Sequence, residues 1–168
     1  MNIILTYFNP TLGPIIFFSL PDGISEDISK KILSFFNFEL NEEFFEIVLV
    51  NENLKITNLY FEIQSSWARG GTEMVMISII FDKNFKFLKK GEFFNQILKE
   101  ISKKINDTNI VYKAFYKNSD FEKDDKEVNE KYEMLKEILQ KYLNLLQQEC
   151  KEDVEPTKLL KKFKNLKW

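Results

Sequence analysis

The ten residues Glu73–Asp82, EMVMISIIFD, constrain the fold of this chain more than any other stretch. Side chains of a β-strand alternate between its two faces. Here Val75, Ile77, Ile79 and Phe81 share one face, while Met74, Met76 and Ile80 share the other. A strand that is apolar on both faces must be covered on both. The pattern therefore predicts a central strand with helices above and below it.

Other stretches supply its neighbours. Ile56–Gln64 alternates, with Leu59, Phe61 and Ile63 on one side and Asn58, Tyr60 and Glu62 on the other, as a half-buried strand nearer an edge would. Phe44–Val50, FFEIVLV, reads as another strand, joined to it by the turn NENLK. Asn2–Phe8 and Pro14–Leu20 flank NPTLG, which is hairpin chemistry. Pro14 lacks an N–H for the ladder and belongs at a strand start or a sheet edge.

Helical spacing fills the gaps. Ser25 is a good N-cap, followed by Glu26 and Asp27 where the helix dipole favours negative charge. Ile28, Ile32, Phe35 and Phe36 then form one stripe, so a helix is expected over Ser25–Phe38. A second helix begins at Lys90 or Gly91, with Phe94, Ile97, Leu98, Ile101 and Ile105 on one face. Ile110–Tyr116 fits either period and is read as a short helix, with residues 117–126 as an exposed loop. Val128, Tyr132, Leu135, Leu139, Tyr142 and Leu146 make an a/d-like seam, widened by Met134, Ile138 and Leu145. Such a helix either covers the second face of the sheet or forms a coiled coil with a partner. After the acidic linker KEDVE, residues 157–168 form a short basic amphipathic helix. Its lysines, Lys158, Lys161 and Lys162 among them, alternate with apolar positions such as Phe163 before the terminal Trp168. A helix of this kind either docks by its apolar face or makes peripheral contact with an anionic membrane or a partner.

Composition removes several function classes. The 168 residues suit one domain of common size, and a net charge of −2 offers no basic field for nucleic acid. Histidine is absent, and with it the commonest general base and every Ser-His or Cys-His nucleophile pair. The single cysteine, Cys150, can form neither an internal disulfide nor a cysteine-based metal site. Glu62, Glu73 and Asp82 are the carboxylates nearest the central strands, but their spacing places no two on a shared face of one element. There is no P-loop, GxGxxG or metal-ligand cluster. No catalytic residue, cofactor or metal is expected. The opening MNIILTYFNP has no basic region and breaks at Pro10, and no apolar run approaches the ~20 residues of a membrane span, so a cytoplasmic protein is expected.

One local stretch stands out. Ser65–Thr72, SSWARGGT, holds the only arginine, Arg69, between Trp67 and the pair Gly70-Gly71. Arginine bridges carboxylates or phosphates through parallel donors, and Trp and Arg are enriched in binding hot spots. Trp67, Arg69, Gly70 and Gly71 are thus candidate partner-binding residues. The alternative is structural: the glycines turn a hairpin, Trp67 caps the core and Arg69 meets a surface carboxylate. In its sharpest form the functional reading makes Arg69 a finger that completes a GTPase site.

The order β-β-α-β-β-β-α, followed by further helix, resembles the longin domains of the roadblock/longin group. The likeness is carried by NIILTYF, PIIFFSL, SEDISKKILSFF, FFEIVLV, NLYFEI, EMVMISIIFD and EFFNQILKEISKKI, over roughly residues 1–106. It implies an α/β (α+β) fold with a five-stranded antiparallel sheet between helices. Residues 1–116 would form the longin-like domain and 117–168 a helical extension packed on it or binding a partner. It further implies a non-enzymatic interaction module of membrane-trafficking or small-GTPase complexes, an adaptor, tether or exchange-factor subunit. A Ras-like small GTPase and a homodimer or heterodimer are the implied partners. The Lys- and Asn-rich, Arg-poor composition would suit an archaeal protein of the Asgard type. A different reading is a small-molecule sensor with an apolar pocket among the Phe and Met side chains.

Overall fold

A computed structural model describes residues 1–37, 43–83, 91–117, 126–151 and 156–165. The N-terminal hairpin pairs β1 (Asn2–Asn9) with β2 (Gly13–Leu20). Its turn is closed by the Asn9 side chain, whose Oδ1 accepts from the amides of Thr11 and Leu12 at 2.9 and 3.0 Å. Helix α1 (Glu26–Ser34) follows, with the Ser25 hydroxyl accepting from the Ile28 amide at 3.4 Å as expected of an N-cap. It tightens into a 3-10 turn at Phe35–Asn37; Phe38, the expected last residue, lies outside the described residues. Then come β3 (Phe44–Leu49), β4 (Leu54–Gln64) and β5 (Thr72–Asp82). Helix α2 (Gly91–Asn106), a 3-10 helix at Val111–Tyr116, α3 (Lys126–Lys151) and α4 (Pro156–Lys164) complete the order.

The sheet is five-stranded and antiparallel, in the order β2-β1-β5-β4-β3. β5 lies at its centre, and Val75 through Phe81 are all buried. Val75, Ile77, Ile79 and Phe81 join the larger core cluster with Phe94, Ile97, Ile101 and Ile105 of α2. The Phe81 and Phe94 rings stack 4.6 Å apart. Met76 and Ile80 join the smaller cluster with Ile28, Ile32 and Phe35 beneath α1. Each such aliphatic side chain, once buried, contributes about 1.5–3 kcal/mol. The mixed α/β sandwich follows from a strand that needs two covers and finds them.

On α3, Val128, Leu135, Ile138, Leu139, Tyr142 and Leu146 are buried, and all but Val128 belong to the larger cluster. The seam is therefore spent on the domain's own core. Tyr132 packs against it from the rim, between Phe17 and Phe18 of β2.

Two local readings change. β4 begins at Leu54 rather than Ile56, because Asn53 takes a left-handed φ of 57° and closes the turn in fewer residues. That brings Lys55 across from β3, where it pairs with Glu46 at 2.8 Å. β4 also lies inside the sheet, between β5 and β3. Its polar alternation misleads: α1 covers the face carrying Asn58, which is fully buried and accepts from the Ser78 hydroxyl at 2.7 Å. Buried polar groups keep such partners because an unmade bond costs more than a made one gains.

Candidate functional site

The β4–β5 loop is fixed from inside. The Ser65 amide donates to the Gly71 carbonyl at 2.9 Å, and the Gly71 amide to that of Ala68 at 3.0 Å. Gly71 adopts φ +80°, where a side chain would be strained. The Ser65 hydroxyl accepts from the amides of Trp67 (3.3 Å) and Ala68 (3.0 Å) and donates to Glu73 Oε1 at 2.8 Å.

A distant element supplies the platform. From the Val111–Tyr116 helix, the Tyr116 hydroxyl donates to the same Glu73 Oε1 at 2.8 Å, and the Tyr112 and Ser66 hydroxyls lie 2.7 Å apart. Trp67 rests edge-on against Tyr112 and Tyr116, with ring centroids 5.7 and 5.1 Å away. Lys113 Nζ lies 4.9 Å from its ring centroid and also pairs with Glu127 at the start of α3. Burial, then the acceptor bond and charge of Glu73, raise the Tyr116 hydroxyl well above its ordinary 10.0. Tyr7 is raised too, chiefly by burial, beneath the Phe115 carbonyl that accepts its proton at 3.1 Å.

The four loop residues thus divide. Trp67 is a packing residue, 44% exposed and seated on three side chains of the 3-10 helix. Gly71 is conformational. Arg69 and Gly70 are exposed, and Arg69 has no ion pair among the described residues, so its expected surface carboxylate is not found there. Tyr112, Lys113 and Tyr116, which build the platform, carried no signal in the local pattern, and Glu73 stood out only as a carboxylate beside the central strands.

The other carboxylates do not converge. Glu73 is buried at 4% exposure and serves as an acceptor for two hydroxyls, while Glu62 is exposed on the opposite face of the sheet. Asp82 sits at the far end of β5, about 30 Å along the strand, and accepts from Asn53 Nδ2 at 2.8 Å. Among the described residues no group of three or more His, Cys, Asp or Glu is placed to hold a metal ion. Nor is any described helix long and apolar enough to cross a membrane.

The basic C-terminal helix is corrected in part. Phe163 is 2% exposed and stacks on Tyr142 at 5.4 Å, so it is unavailable to a membrane or partner. Burial, and then the Glu100 charge, push the Tyr142 hydroxyl up to about 12. Lys161 and Lys162 are exposed. The Lys158 side chain and Trp168 lie outside the described residues. The space an internal apolar pocket would need, between the sheet and α2, is filled by Phe81, Phe94, Ile97 and Ile101, each at 2% exposure or less.

No family model matches this chain, and no curated protein matches it.

Proposed function

We propose that the protein is a non-enzymatic, cytoplasmic interaction module of the longin type, and that it contacts a protein partner of small-GTPase or trafficking systems through the Arg69 loop. The supporting observation is a charged, exposed arginine on a loop whose conformation is set beforehand. Ser65, Gly71 and the seated Trp67 hold the loop whether or not a partner is present. A binding group held in place this way loses little freedom on association. The sheet with α1 on one face and α2 and α3 on the other is also the arrangement that the longin resemblance implies.

The experiment measures binding of the full chain to a panel of Ras-like GTPases in GDP and GTP-analogue forms. Wild type should bind at least one, and Arg69→Ala should weaken that complex more than tenfold, as arginine hot spots do. Failure to bind any GTPase in either state ends the small-GTPase reading, and an unchanged affinity for Arg69→Ala ends the role of the loop. Hydrolysis rates in the same mixtures test the arginine finger: an unaltered GTP half-life removes it.

A further inference from the structure

β3 and β4 differ in length, and among the described residues the difference leaves part of β4 without a strand on its β3 side. The β3–β4 ladder ends where Phe44 pairs with Leu59, apart from one further bond from the Tyr60 amide to the Glu43 carbonyl at 2.8 Å. β4 continues to Gln64, paired only with β5. In an antiparallel strand both polar backbone groups of a residue point to one side, and successive residues alternate. The Tyr60 amide points to the β3 side and the Ser65 amide to the β5 side. Glu62 and Gln64 therefore turn their N–H and C=O groups toward the side that β3 no longer occupies. No hydrogen bond among the described residues reaches these groups.

The margin has the shape of a docking site. Two clefts, of about 440 and 530 Å³, open along it, and Glu62 and Asn106 line both. The first is walled by Ile63, Gln64, Thr108, Val111 and Tyr112, the second chiefly by Phe36, Tyr60 and Met74. Met74 is half exposed, the one apolar residue of β5 left uncovered. Ile110 lines the first cleft in a left-handed conformation, φ 50°, which is unusual for a β-branched residue and is the kind of strain that gathers at binding sites. Among the described residues the only charged side chains lining the clefts are Glu43 and Glu62, with no lysine or arginine.

We propose that the open margin of β4 at Glu62–Gln64 receives an extended, basic segment of a partner protein as an added strand. Main-chain bonds to Glu62 and Gln64 supply the affinity of such an addition, and pockets for alternate side chains supply its selectivity. Apolar side chains of the segment enter the two clefts, and a lysine or arginine pairs with Glu62 and Glu43. The surface adjoins the Arg69 loop through Tyr112 but does not depend on it, so either proposal can fail alone.

The test uses the full chain and a displayed library of random decapeptides. Selected sequences should alternate apolar residues with lysine or arginine, and their binding should slow amide exchange at Glu62 and Gln64. Gln64→Pro removes one outward amide while leaving the β5 ladder intact, since that amide does not point to β5, and proline is tolerated on strand edges. Affinity should fall about tenfold, and Glu62→Lys should lower it by a similar factor through charge reversal. Melting curves of both variants establish that they remain folded, and Glu62→Lys carries the test if the proline variant does not. The proposal is overturned if no peptide is selected, or if binding is unchanged in the folded variants. It is equally overturned if the Glu62 and Gln64 amides are already protected in the free protein, which would mean that a segment of this chain covers the margin.

Discussion

Replacing Trp67 by alanine is expected to destabilise the fold by about 2–3 kcal/mol, whereas Arg69→Ala, two residues away, should change stability by less than about 0.5 kcal/mol. The first figure comes from burial. Trp67 is 44% exposed, so a little over half its surface is covered. For a side chain of about 250 Å² that is about 140 Å², worth about 3.5 kcal/mol at about 25 cal/mol per Å². Residual compactness of the unfolded chain lowers the sum by about 10–40%, and the edge-on contacts with Tyr112 and Tyr116 restore part of it. The surface location lets the loop settle, so little cavity penalty is added. Arg69 is exposed and has no ion pair among the described residues, so its truncation removes little. Urea unfolding followed by far-ultraviolet circular dichroism reads both variants. Trp67→Ala should also melt about 5–10 °C below wild type. A Trp67→Ala cost below about 0.5 kcal/mol would refute the seating of the ring, and an Arg69→Ala cost above about 1 kcal/mol would show that the arginine is structural.

Three further outcomes follow from the same contacts. Tyr116→Phe leaves Glu73 with Ser65 as its remaining hydroxyl donor and should cost about 1–3 kcal/mol; a double-mutant cycle with Glu73→Gln that shows no coupling would contradict the shared bond. Burial raises Tyr60 and, with the Glu100 charge, Tyr142 to about 12, and Tyr7 and Tyr116 are raised as well, so the folded state holds protons that the unfolded state releases above about pH 10. Stability is then undiminished below that pH and lost as pH climbs through 10 toward 12; a urea midpoint that does not move between about pH 9 and pH 11.5 would be inconsistent with these burials. Phe163→Ala should release α4 locally, costing about 1–3 kcal/mol, less than a central Phe→Ala, because a terminal helix can detach alone. Its signature is a Tyr142 hydroxyl that titrates closer to 10.0, and unchanged titration with unchanged protease resistance would mean that α4 is held by other contacts.

Much of the fold was legible because single elements carried their own instructions. The two-faced apolarity of β5 required a cover on each side, and the Ser25 cap marked where α1 begins. Legibility ended where burial depends on another element. Asn58 reads as outward-facing from the alternation of β4, and only the presence of α1 above it makes that face internal. Val111–Tyr116 is too short for its period to discriminate, and it forms a 3-10 helix behind a left-handed Ile110. At the loop, the lone arginine marked itself, but the platform under Trp67 joins residues 43 and 46 positions apart, as in Glu73 with Tyr116 and Ser66 with Tyr112. Likewise, an amphipathic period looks the same whether its apolar side meets lipid or protein. The Tyr142 ring that decides the matter for Phe163 belongs to a different helix.

The open margin of β4 lies between these cases. The sequence shows one strand longer than its neighbour, without showing which end overhangs. The tight turn settles it: Leu49 pairs with Leu54 directly beside Asn53, so the β3–β4 register is anchored at that end. β3 has six residues and β4 eleven, so all the excess must emerge at Tyr60–Gln64. β5 matches β4 along its full length, with Leu54 opposite Asp82 and Gln64 opposite Thr72, and so exposes only the other margin of the overhang. The loop bearing Trp67 and Arg69 is the continuation of that overhang. Whatever shortens β3 or fixes its turn therefore also sets how much of β4 stands open beside the loop.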